Sequence, residues 1–145
     1  MESIAVVVDS DSPSEQLLDA AKRHIAGTDL EVVVCRIVDR DEYQSEVRRK
    51  AESKERFDSI EAVEAEATAE AEAVASASFE GVAHTAVGRV GTIPEDVLDI
   101  ATEMNSTHVF VGGKKRSPAG KMLFGDDAQK LVLDFDGPVT IVTDE

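Results

Sequence analysis

Short, continuous apolar runs alternate along this chain with longer segments in which apolar residues recur every three or four positions. The first run, Ile4–Asp9 (IAVVVD), is rich in β-branched residues and ends in an acid, the pattern of a strand buried on both faces. Ser12 followed by Pro13, with Glu15 three residues after the serine, predicts a capped helix start. Leu17, Leu18, Ala21 and Ile25 carry that helix's apolar stripe, and Gly27 stands where a helix-ending glycine belongs. Leu30–Val38 (LEVVVCRIV) predicts a second strand, followed by a charged turn, DRDE.

The segment from Tyr43 to Phe79 mixes Ala and Glu, strong helix formers and poor strand formers, and contains no Pro or Gly. Val47, Phe57, Ile60, Val63, Ala67, Val74 and Ala77 follow one helical stripe, so a single long helix is expected, ended by Gly81. Val82–Val90 predicts a third strand, less apolar than the first two and so nearer a sheet edge. Thr92, Pro94 and Glu95 open a helix whose buried face is Ile93, Val97, Ile100, Ala101 and Met104. His108–Gly112 (HVFVG) predicts a fourth strand, Met122–Phe135 a last helix stopped by Gly137-Pro138, and Val139–Val142 a fifth strand.

Such unbroken alternation implies an α/β fold: a doubly wound parallel sheet with helices on both faces, of Rossmann-like or flavodoxin-like type. No shift in composition or internal repeat divides the 145 residues, so one domain spanning 1–145 is expected. In open sheets of this kind ligands bind outside the carboxyl ends of the strands, where the strand order switches. That places Asp9, the residues after Val38 and the loop Gly112–Lys121 at the expected site.

Composition narrows the partners. Thirty acidic against 15 basic residues give a net charge of −15, which opposes binding to a nucleic-acid backbone or an anionic lipid surface. The acid is spread through almost every segment rather than gathered in a tail, which fits a folded surface in a cytosol of high ionic strength, as in a halophile; loss of thermal stability in dilute buffer would bear this out. No apolar run approaches membrane-spanning length, and the N-terminus lacks a basic region and a small-residue cleavage site, so a cytoplasmic chain without a signal peptide is expected. The single cysteine, Cys35, lies within an apolar run and reads as a buried small hydrophobe. His24, His84 and His108 lack metal-ligand spacing and read as structural or solvated.

The loop after the fourth strand carries the most chemistry. Gly112-Gly113 allows close backbone approach to a ligand. Lys114, Lys115 and Arg116 form a dense basic cluster, Ser117 adds a hydroxyl, and Gly125 precedes the next helix. Helix-start N–H groups beside a basic loop suit an anion such as phosphate. An ordinary turn with solvated lysines is the plainer reading of the same residues.

Taken together, VFVGGKKRSPAGKMLFGDDAQKLVLDFDGPVTIV, IAVVVDSDSPSEQLLDAA, EVVVCRIVD and RVGTIPEDVLDIA resemble the universal stress protein family, in particular acidic, halophile-type members, and the resemblance runs over essentially the whole chain. It implies a five-stranded sheet ordered 3-2-1-4-5 and homodimers paired through the last strand. It also implies an adenine nucleotide such as ATP, with Mg²⁺. In the family's nucleotide motif Gly112 matches the first glycine and Gly125 the last. Lys115 stands at the second glycine and Asp126 at a hydroxyl position. Asp9 matches an acid at the adenine end and Ile37 a backbone position that meets adenine. Lys115 leaves a cation near phosphate, whereas Asp126 sets an anion where a neutral donor is expected.

The resemblance therefore implies a non-enzymatic stress-response binding protein that holds nucleotide through Asp9, Ile37, Gly112, Gly113, Lys115, Arg116, Ser117, Gly125 and Asp126. Two alternatives stay open. One is a family member without nucleotide that acts as a dimeric interaction module. The other is a Mg²⁺-dependent phosphatase using Asp9 and Asp11, whose acid-any-acid spacing follows a first strand, with the GDD at Gly125–Asp127 supplying further ligands. No Ser-His-Asp or Cys-His arrangement is present in the pattern.

Overall fold

The computed structural model describes residues 2–9, 13–56, 58–113 and 126–143, the side chains at 126 and 127 excepted. The elements run β1 (Ser3–Val8), α1 (Glu15–Ile25), β2 (Glu31–Asp39), α2 (Arg40–Glu52), α3 (Ile60–Ser78), β3 (His84–Gly91), α4 (Glu95–Glu103), β4 (Ser106–Gly113), α5 (Asp126–Asp134) and β5 (Val139–Thr143). All four strand pairings are parallel, and the five-stranded sheet has the order β3-β2-β1-β4-β5. The fold is thus the doubly wound α/β sheet expected from the alternation, with the less apolar third strand at an edge.

β1 occupies the centre and is buried along its whole length, which explains its unbroken apolar run. Ile4, Val6 and Val8 point to one face, where Val32, Val34 and Phe110 join Leu17, Leu18, Ala21 and Ile25 of α1 and Ala71, Val74 and Ala75 of α3. Ala5 and Val7 point to the other, with Val33, Cys35 and Val109 under Val97 and Ile100 of α4 and Ala128 and Leu131 of α5. Cys35 is fully buried in that layer, and burial pushes its thiol up to about 12, so it is an inert hydrophobe as its position suggested.

Three local expectations are corrected. The cap of α1 is Ser14, whose Oγ accepts from Leu17 N at 3.2 Å; Ser12 lies outside the described residues. The DRDE turn is instead the cap and first turn of a helix, because Asp39 Oδ1 accepts from Glu42 N at 3.0 Å. The segment Tyr43–Phe79 is two helices, not one. α2 ends at Ser53, Lys54 takes φ 60°, and Ser59 caps α3 by accepting from Ala62 N at 3.1 Å. α2 buries no residue, and Ile60 and Ala77 lie exposed, so the single stripe dissolves into the short face Ala67, Ala71, Val74 and Ala75. Phe57 lies outside the described residues. The glycine stops do hold: Gly27 and Gly81 take φ +77° and +81° just past α1 and α3.

Gly88 lets α3 sit directly against β3, since a Cβ there would run into Thr68 N and the Ala67 backbone. Thr68 Oγ1 then accepts from Gly88 N at 3.0 Å, and Glu64 Oε2 accepts from Val90 N at 2.9 Å. Two outward donors of this edge strand are thereby satisfied by helix side chains, a means of covering a sheet edge.

At the opposite side of the sheet, His108 of β4 stacks on Phe110 (centroids 4.4 Å apart) and meets His24 of α1 edge-on at 4.6 Å. His108 Nε2 lies 2.7 Å from Thr140 Oγ1 on β5. Burial, and secondarily the neighbouring His24, hold the His108 imidazole below its ordinary pKa of 6.5. The folded state therefore binds its proton less readily than the unfolded chain. This group's contribution to stability is complete above pH 6.5 and declines as pH falls through that value toward the lower folded one. Urea unfolding between pH 7.5 and 5 should show stability falling less steeply in His108→Gln than in the native chain; identical slopes would contradict this assignment.

Candidate functional site

Because every strand is parallel, the carboxyl ends of all five open on one edge of the sheet. There stand Asp9 after β1, Asp39 of β2, Gly91 of β3, Gly112-Gly113 of β4 and Thr143 of β5. The order switches at β1: the chain leaves it for β2 and β3 on one side, then crosses to β4 and β5 on the other. Helices on opposite faces cannot close over the carboxyl ends of β1 and β4, so this is where an open α/β sheet leaves a crevice.

Four of the residues expected at the site lie along that edge. Asp9 follows β1 and is exposed. Ile37 is buried, its side chain packed in the α4 layer. Gly112 and Gly113 form the last pairs with Val142 and Thr143 of β5. Among the described residues, a Cβ built on Gly112 would meet nothing nearer than Val142 O at 4.0 Å. Lys114, Lys115, Arg116, Ser117 and Gly125 lie outside the described residues, as does Asp11. Asp126 opens α5, its side chain outside the description.

Ile37 matters through its main chain. On β2, Glu31 N donates to Glu2 O and Val32 N to Ala83 O, so odd-numbered residues turn their peptide groups toward β1 and even-numbered ones toward β3. The β1–β2 register ends at Val8↔Arg36. The Ile37 carbonyl is thus the first β1-facing acceptor on β2 beyond the end of that ladder. It is not free: Arg36 Nη1 donates to it at 2.9 Å, while Arg36 Nε donates to Glu70 Oε2 of α3 at 3.0 Å. Arg36 and Glu70 are only 21% and 28% exposed, so this cation is held in place by a charge-assisted bond.

Arg36 and Glu70 were not singled out by sequence reasoning, whereas Asp39 falls among the residues after Val38 that were expected at the site. A signal existed for the first: an arginine interrupting the apolar run VVVCRIV must find a partner when its strand is buried. Asp39 is engaged as the cap of α2, and Asp96 accepts from Thr92 N at 2.8 Å, so both act as structural carboxylates. Among the described residues no group of three His, Cys, Asp or Glu could hold a metal ion.

The universal stress protein family model matches residues 1–143. The chain belongs to the universal stress protein family. Among solved structures it is similar to the universal stress protein from Archaeoglobus fulgidus, at 22% identity and TM-score 0.61, covering 97% of this chain and 98% of that one. It is also similar to a universal stress protein structure from Archaeoglobus fulgidus in complex with dAMP, at 18% identity and TM-score 0.55, covering 97% of each chain. A third is a universal stress protein in complex with cAMP, at 19% identity and TM-score 0.50, covering 99% and 98%. At these identities the likeness establishes the fold. A search of the curated proteins finds no match. No helix among the described residues is long and apolar enough to cross a membrane.

Proposed function

We propose that this universal stress protein is a stress-response binding protein that holds an adenine nucleotide, ATP among them, across the carboxyl ends of β2, β1 and β4. The observation that carries the reading is the convergence of three features at the switch in strand order: the exposed Asp9 carboxylate, the β1-facing carbonyl of Ile37, and the Gly112 backbone, which no described residue crowds. Two strand spacings separate β2 from β4, roughly 10 Å, a span that suits a base at one end and phosphates at the other. Lys115, Arg116 and Ser117 would neutralise and bond the phosphates, and Gly125 and Asp126 complete the motif positions. The dAMP and cAMP complexes of similar proteins support this ligand class.

Mg²⁺ in this reading arrives with the phosphates, since the ion prefers substrate phosphates and waters over an all-protein cage. Binding rather than turnover is the proposed role.

Isothermal titration of the folded protein with ATP and Mg²⁺ in molar KCl should give a micromolar dissociation constant and leave the ATP intact. Gly112→Val should weaken binding at least tenfold, while its open surroundings leave the unfolding free energy within about 0.5 kcal/mol of the parent. No heat from the folded parent protein, or equal binding by the variant, would contradict the site.

A homodimer through β5 is part of the same proposal. The β3 edge is closed by Thr68 and Glu64, whereas among the described residues no side chain caps the outer edge of β5 in that way. Beside β5, Val132 and Leu133 of α5 are 49% and 74% exposed. Sedimentation should show a dimer that Leu133→Glu shifts toward monomer; a monomeric parent would sink this assignment.

A further inference from the structure

We propose that Arg36 determines which base the crevice accepts, an inference that rests on the nucleotide reading above. With phosphates over Gly112-Gly113, the base lies at the β2 end, against the first β1-facing acceptor past the ladder, the Ile37 carbonyl. An adenine amino group needs such an acceptor. In this chain the oxygen already accepts from Arg36 Nη1 at 2.9 Å, and Glu70 holds the guanidinium there from α3.

The consequence follows from donor and acceptor counting. A guanidinium has five N–H donors and no acceptor. Set on the carbonyl, it takes up one of the oxygen's two lone pairs and puts its own N–H donors where an amino group, itself a donor, would approach. A purine carrying a 6-oxo group presents an acceptor at the same position and can take a bond from the arginine. Arg36 therefore handicaps adenine and favours hypoxanthine, so the crevice discriminates weakly between the two. Specificity of this kind arises from leaving a polar group of the disfavoured ligand without its partner.

The geometry leaves Arg36 little freedom to leave. Arg36 points to the α1/α3 face, as do Val32 and Val34 four and two residues before it on β2, and it is only 21% exposed. Moving it off Ile37 would also loosen its bond to Glu70. Replacement by an uncharged side chain of similar length clears the carbonyl without adding a donor.

The test titrates the full chain with AMP and with IMP, for the parent and for Arg36→Met, in molar KCl. The parent should bind the two nucleotides within about threefold of each other. Arg36→Met should bind AMP about tenfold tighter than IMP, the worth of one hydrogen bond. Should Arg36→Met not fold, Arg36→Lys, which keeps the charge but lacks the reach and the fork, carries the same comparison. A parent that already prefers AMP tenfold overturns the proposal and leaves the adenine site standing, as does an AMP-to-IMP ratio that neither variant changes. Absence of binding by either nucleotide to any folded form overturns the nucleotide reading itself.

Discussion

The structure depends on burying β1 on both faces. Its residues Ile4 to Val8 feed two separate apolar layers, one under α1 and α3, the other under α4 and α5. A strand of this kind must lie at the centre of a parallel sheet, with crossover helices passing on either face. Once β1 is central, the chain must build outward first to one side and then to the other. The break between the two sides falls at the carboxyl ends of β1 and β4. A crevice at this place is therefore a by-product of how the core is completed.

The two edges of the sheet are finished differently. β3 is covered from outside by α3, because Gly88 admits the helix backbone and Thr68 and Glu64 then satisfy two of its outward donors. β5 is tied inward instead, through Thr140 to His108. Self-association through β3 would have to break these side-chain caps first. Charge acts on top of this asymmetry. At −15 overall, any pairing of two copies must bring like surfaces together, so contact is easiest where apolar residues such as Leu133 are exposed and where salt screens the rest.

Much of the fold was legible in the sequence for a physical reason. Strands buried on both faces must be continuously apolar, so β1, β2 and β4 announced themselves, and the glycines past α1 and α3 marked real stops. The long segment between β2 and β3 misled because Ala and Glu favour helix everywhere, and neither Gly nor Pro marks its interruption. The break rests on Lys54 at positive φ and on Ser59 as a cap, signals too weak to read against that background. At the site, Asp9 and the paired glycines could be placed because they end strands. The grip of Arg36 on Ile37 could not, since it depends on which way a peptide group turns at the end of a ladder and on a glutamate 34 residues away.

The central claim is that nucleotide occupies the crevice at the switch in strand order. Titrating AMP into uniformly ¹⁵N-labelled protein in molar KCl and following the amide resonances tests it most directly. The account predicts that Asp9, Ile37, Gly112 and Gly113 shift together along one saturation curve. Saturable shifts confined to α2 or to the capped β3 edge, with those four amides unmoved, would contradict it.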